Sequence, residues 1–207
     1  MSARKVKMEI PSAIYNEDGV DITNCKIREL PDDLQVNGNA IIYCDSNEYL
    51  EKLPTKSNAI SFYISGSPKI SDFPCLTIPG MFIADDCKGL TAIPDNLQVG
   101  SDLIMRACRN LRSVGDCITI GANLDLEQCT NLETIGEGLT VRGDLRLMGC
   151  NSLTLLPSDI SVGGTIDLTG CNGINIPENI ISKYGNRITL PHEYNIIDEI
   201  NNCPTLS

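Results

Sequence analysis

The chain has 207 residues, 27 of them Asp or Glu against 16 Lys or Arg, for a net charge of −11 at neutral pH. An acidic balance of this size argues against nucleic-acid binding and favours a basic partner surface. With no Trp and only three Phe, a core has to be built from Leu, Ile, Val and Cys, and no apolar run approaches the length of a membrane span.

Residues 1–19 carry Arg4, Lys5 and Lys7 but no apolar stretch of the signal-peptide kind. They are expected to form an N-terminal cap. From residue 20 to residue 190 the chain repeats itself, most plainly where Cys87, Cys108, Cys129, Cys150 and Cys171 return every 21 residues. A fixed period in this range marks a solenoid in which stacked turns share one core. At this cysteine position the earlier turns place Cys25, Asn47 and Ser67, and the last, imperfect turn places Glu193.

Five residues before the cysteine position the chain reads Val20, Ile42, Phe62, Phe82, Leu103, Leu124, Leu145, Ile166 and Ile188. Three before, it reads Ile22, Cys44, Ile64, Ala84, Met105, Leu126, Leu147, Leu168 and Leu190. Two apolar columns separated by one residue predict a short strand per turn with alternate side chains turned inward. After the cysteine position Leu or Ile recurs, as at Leu90 and Ile93 or Leu132 and Ile135. Pro or Gly then breaks the element, and a second apolar pair such as Leu97 and Val99 follows. Gly100, Gly121, Gly143 and Gly163 close the turns, and positive φ is the expected reason for glycine there. Little room is left for helix. After residue 190, Tyr194, Ile197 and Ile200 stand at helical spacing, so residues 191–207 are expected to form a C-terminal cap with a short amphipathic helix.

The unit L-x-L-x-x-C-x-x-L-x-x-L/I-P-x-x-L-x-V-x-G, with LPDDLQV, IPDNLQV and LPSDISV, resembles a leucine-rich repeat of the short bacterial and phage class. That class includes the repeat domains of secreted effector ubiquitin ligases. The resemblance covers roughly residues 20 to 190. It implies a right-handed, β-rich coil of about eight to nine turns with one parallel concave sheet and little helix. The effector ligases carry a Cys-x-Asp nucleophile in a separate domain. No cysteine here is followed by Asp two residues on, so their activity is not carried across.

In such a coil the side chain at the cysteine position turns inward, and the five regular cysteines are expected to be a structural ladder of buried, reduced thiols. Parallel in-register side chains do not converge as a disulfide requires. A zinc site needs closely paired ligands, which are missing, and His192 is the one histidine. Cys44, Cys75, Cys117 and Cys203 lie outside the ladder and suggest no role. No nucleotide-binding, metalloprotease or nucleophile-base motif is present. The expectation is therefore a protein without catalytic residues, metal or cofactor, working in a reducing cytoplasm.

Function then falls on the outward side of the strands. Four before the cysteine position stand Tyr43, Tyr63, Ile83 and Ile104 in consecutive turns, flanked by Met81 and followed by Asp125 and Arg146. Two before stand Asp85, Arg106 and Glu127. These ten residues form the expected partner-binding set, an apolar stripe with a charged edge. The expected function is binding and inhibition or sequestration of a bacterial or host protein, with self-association through the same stripe as a further possibility. The alternatives are an acidic nucleic-acid mimic that fills a basic groove, and a structural subunit of a larger particle.

Overall fold

The structure, a computed structural model, describes residues 14–15, 19–23, 25–32, 34–35, 41–73 and 77–198. Within them the chain winds as a parallel β-solenoid of about eight turns. Nine strands of two or three residues stack in parallel to form one long sheet. Its register runs Val20, Ile42, Phe62, Phe82, Leu103, Leu124, Leu145, Ile166, Ile188 as successive partners. The inward column expected from the period is therefore the column that pairs, through the turns of irregular length as well. Its companion from Ile22 to Leu168 is fully buried, and Leu190 packs against it.

Two shorter parallel sheets lie beside the long one, beyond the single sheet expected. One stacks Ala92–Ile93, Ser113–Val114 and Thr134–Ile135. The other stacks five strands from Thr77–Ile78 to Ser161–Val162, and includes the second apolar pairs through Val99 and Val141. All of these strands send Ile or Val into one common core. No turn buries enough alone, so each is held by the turns above and below it.

The turn-closing glycines are present for a different reason from the one expected. Gly100, Gly121 and Gly163 do not adopt positive φ. A Cβ at each would overlap a carbonyl oxygen of the preceding turn, from Pro79, Gly100 and Arg142 respectively. Gly143 is likewise closed in, by the Asn123 carboxamide and the Ala122 carbonyl. These glycines permit the close stacking of backbones. Left-handed backbone occurs instead one residue before the cysteine position: Ser46, Gly66, Asp86, Ala107, Gln128, Gly149 and Gly170 have φ between 50° and 82°. That residue swings the chain from the strand into the bend that carries the next side chain inward.

At the C-terminal end the helix is Glu178–Tyr184, with Gly185 at its C-cap. Glu178 in its first turn and Lys183 in its last suit the helix dipole. The Tyr184 hydroxyl accepts the Val162 N–H at 2.8 Å and donates to the Ile160 carbonyl at 3.1 Å, so it closes the last strand of the five-stranded sheet. The helix expected around Tyr194 is replaced by a strand, Tyr194–Ile197, paired in parallel with Ile174–Pro177. That pairing supplies the backbone partners a helix would otherwise provide, and it leaves Tyr194 and Ile196 exposed. Ile200 and Cys203 lie outside the described residues. At the other end Ile14–Tyr15 pairs antiparallel with Gly19–Asp21, whereas Arg4, Lys5 and Lys7 lie outside the described residues. No described helix is long and apolar enough to cross a membrane.

Candidate interaction face

The cysteine column is a ladder of side-chain donors. Cys87, Cys108, Cys129, Cys150 and Cys171 are fully buried. Each thiol donates to the carbonyl of the inner-column residue three before the cysteine position of the preceding turn, at 3.0–3.2 Å. Ser67 makes the same bond to the Cys44 carbonyl at 2.7 Å, and Asn47 makes it to that of Ile22 at 2.6 Å. From Asn47 to Cys171 every residue of the column therefore does one job, with Asn, Ser or Cys as the donor. Glu193 is exposed, and the ladder ends before it. Burial pushes the thiols of Cys87 and Cys150 up to about 12 and that of Cys171 up to about 11. Cys108 is raised further, first by its hydrogen bond with Cys129 and then by burial. The eight described cysteines form no disulfide, and among them Cys117 alone is exposed. Cys117 takes the left-handed turn position that Asn96 and Gly138 take in adjacent turns, and Cys44 belongs to the inner column. Cys75 is outside the described residues.

On the outer side of the long sheet Tyr43, Tyr63, Ile83 and Ile104 stand on adjacent strands, all partly buried. The rings of Tyr43 and Tyr63 lie 5.3 Å apart, tilted by 33°. The Tyr63 hydroxyl reaches the Met81 sulfur at 3.7 Å. The structure thus brings the apolar part of the expected set together as one continuous stripe. Side chains that rest on one another across strands lose part of their exposed area to that contact. This is why none of them stands out as an isolated, exposed hydrophobe.

The charged part of the set divides. Arg106 is exposed and grips Asp85, with Nη2 2.8 Å from Oδ2, while the same carboxylate accepts the Arg106 backbone N–H at 2.8 Å. The guanidinium is held above its usual range by its own hydrogen bond to the Asp85 carboxylate. Glu127 is partly buried and its carboxyl is raised, first by burial and then by Asp125. Asp125, expected at the edge of the face, is 4% exposed. Its carboxylate folds onto the sheet to accept the Glu127 N–H at 3.1 Å, with Arg146 Nη1 3.8 Å away. It therefore presents almost no surface on the face. Arg146 also reaches Asp144 at 3.3 Å, bridging two carboxylates on the face.

Two rows of side-chain acceptors lay outside the reach of sequence reasoning. Asp45 accepts the Ser65 N–H at 2.7 Å, Ser65 the Asp85 N–H at 3.2 Å, and Asp85 that of Arg106. On the other border, Asp102, Asn123 and Asp144 accept the N–H of the equivalent residue one turn on, at 2.8–3.0 Å. The Thr165 N–H holds the Asp144 carboxyl below its usual range. These bonds extend the pairing past two-residue strands and stiffen the face from both sides. The only signal in the sequence was the recurrence of short polar residues two and six before the cysteine position.

Elsewhere a hollow of about 710 Å³ is lined by Asp116, Ile135, Glu137, Leu155, Asp159 and Ile197, among others. Two of its carboxylates are engaged with backbone: Asp116 accepts the Glu137 N–H at 2.9 Å and Asp159 that of Gly138 at 2.7 Å. Among the described residues no three acidic, histidine or cysteine side chains converge as metal ligands would. No protein-family model, curated protein or solved structure gives a significant match to the chain. The outer face of the long sheet therefore stands on its own geometry.

Proposed function

We propose that this chain is a non-catalytic binding protein of the leucine-rich-repeat class that holds a partner protein against the outer face of its long sheet in turns two to five. The observation that carries this reading is the continuous stripe of Tyr43, Tyr63, Met81, Ile83 and Ile104 on strands whose register is locked by side-chain acceptors on both borders. An apolar centre with a polar edge is the anatomy of a protein interface, and tyrosine is well suited to anchor one. The repeat L-x-L-x-x-C and its ladder of donors support the leucine-rich-repeat assignment. Its resemblance to bacterial and phage repeat proteins supports a partner in a bacterial or host cytoplasm, and binding of this kind inhibits by occlusion.

The test compares proteins captured from bacterial lysate by the parent chain and by Ile83→Arg, with both first shown to melt alike. At least one protein should be captured by the parent and lost by the variant, and should survive a salt wash. Identical captures would reject the face as the site. Release by salt alone would favour an acidic nucleic-acid mimic.

A further inference from the structure

The chemistry of the partner can be read from what surrounds the stripe. In the first five turns, the outward positions six, four and two before the cysteine position hold four carboxylates, Asp21, Asp45, Asp85 and Asp102, against one cation, Arg106. Arg106 is already committed to Asp85 at 2.8 Å. Asp21, Asp45 and Asp102 are engaged differently: each accepts a backbone N–H, from Thr23 at 2.9 Å, Ser65 at 2.7 Å and Asn123 at 3.0 Å. A neutral N–H fixes the position of a carboxylate and leaves its negative charge in place. Among the described residues the apolar stripe is therefore bordered by negative charge that no ion pair offsets, held at fixed points: Asp21 at one end, Asp45 on one border and Asp102 on the other.

From this complementarity we infer that the occupant of the stripe is a segment of a partner protein that combines Lys or Arg with aliphatic or aromatic side chains, its cations lying over Asp21, Asp45 and Asp102. The inference rests on the reading of the face as a protein-binding site. It also decides between occupants. Two copies meeting through this stripe would set like charges against one another, at a cost that opposes association. An anionic membrane or a nucleic acid would be repelled for the same reason. The field around Asp45 agrees: its carboxyl is raised by burial, with Asp21 and Asp85 as like-charged neighbours, and an incoming cation would relieve that repulsion.

The experiment selects peptides from a random displayed library on the full chain, discards those that also bind Ile83→Arg, and measures the survivors as synthetic peptides by calorimetry. The survivors should be enriched in Lys and Arg together with Leu, Ile or aromatic residues. Their Kd should weaken about fivefold or more between low and high salt, and by a similar factor in the Asp45→Asn, Asp102→Asn double variant. Survivors that are neutral or acidic would overturn the basic partner while leaving the face as a binding site. If every selected peptide binds Ile83→Arg as well as the parent, or none is selected, both readings fall. Sedimentation that shows a dimer of the parent, abolished by Ile83→Arg, would replace the basic partner with a second copy.

Discussion

A buried carbonyl has a second lone pair to satisfy in any tightly wound backbone, and this chain uses whichever donor fits. Leu126 O accepts both the Cys129 N–H at 3.1 Å and the Cys150 thiol at 3.2 Å; Cys44 O accepts both the Asn47 N–H at 3.1 Å and the Ser67 hydroxyl at 2.7 Å. Cysteine wins in the regular turns because it adds apolar volume to a weak donor. Burial that raises the thiols also silences them, since the thiolate is the reactive form. In the folded protein Cys117 should react with a thiol reagent within the mixing time, and Cys87, Cys150 and Cys171 only on unfolding; rapid native labelling of those three would remove the ladder. Asp45 offers a second check at this scale. Its folded pKa is raised, so the folded state binds the proton more tightly than the unfolded state does. Stability tied to that proton is full below the unfolded value and is lost as pH rises through the folded one. Asp45→Asn keeps an oxygen for the Ser65 N–H and removes the charge. It should melt higher than the parent at neutral pH, and the difference should shrink as the pH falls below the carboxylate range. An unchanged gap at acid pH would mean that charge is not the cause.

Strands of two residues hold together here because neighbouring turns approach closely and side chains add pairing at both borders. The glycine positions state the first condition most sharply. A Cβ at Gly121 would overlap the Gly100 carbonyl, whereas around Gly173, at φ 82°, there is open space. Gly121→Ala should therefore cost about 3 kcal/mol or more through displaced backbone. Gly173→Ala should cost about 1 to 2 kcal/mol, the strain of a left-handed alanine; denaturant melts would separate them, and equal losses would contradict the stacking argument. The inner columns give the companion test. Leu126 and Leu147 are fully buried, so Leu→Ala at either should cost about 2 to 5 kcal/mol. Arg146→Ala, outward on the Leu145–Arg146 strand, should cost less than either, and what it costs should come from leaving the buried Asp125 carboxylate without its cation. The inner columns were readable because apolar residues two apart repeat with the period of the coil, whatever the length of a given turn. The left-handed position ahead of the cysteine column was not, because Ser46, Asp86, Ala107 and Gln128 share no chemistry that announces it. The end of the chain defeats periodicity in another way. Tyr194 and Ile197 stand at helical spacing, yet a ready strand at Ile174–Pro177 overrides the local pattern by pairing with them. Asp125 shows the limit at the candidate site: its column says which way the strand presents it, and only the Arg146 and Glu127 contacts of the fold show that it lies flat.

Across the whole molecule, the same side chains that stiffen the coil also shape the face it presents, so binding and folding effects have to be separated residue by residue. The stripe crosses four strands from Tyr43 to Ile104. At about 4.8 Å per strand it is roughly 14 Å across, the size of the central cluster of an interface and smaller than a whole one. Contact should thus extend onto Arg106 and Glu127 at the edge. Tyr63, in the middle, packs outward against Tyr43 and Met81, and its removal leaves the inner columns untouched. Tyr63→Ala should weaken the partner by at least about 2 kcal/mol while changing the melting temperature little. Glu127→Gln should act on association rate and salt dependence rather than on dissociation, as charges at an interface edge do. Asp125→Ala should behave in the opposite way. Its carboxylate is buried against Arg146 and holds the Glu127 N–H, so its loss should lower stability and leave the apolar contact intact. Affinity and thermal stability measured side by side for the three variants distinguish an anchor, an edge charge and a support. If Tyr63→Ala melts normally and binds at full strength, the stripe is not the site. The hollow between Ile135 and Ile197 then becomes the next surface to test.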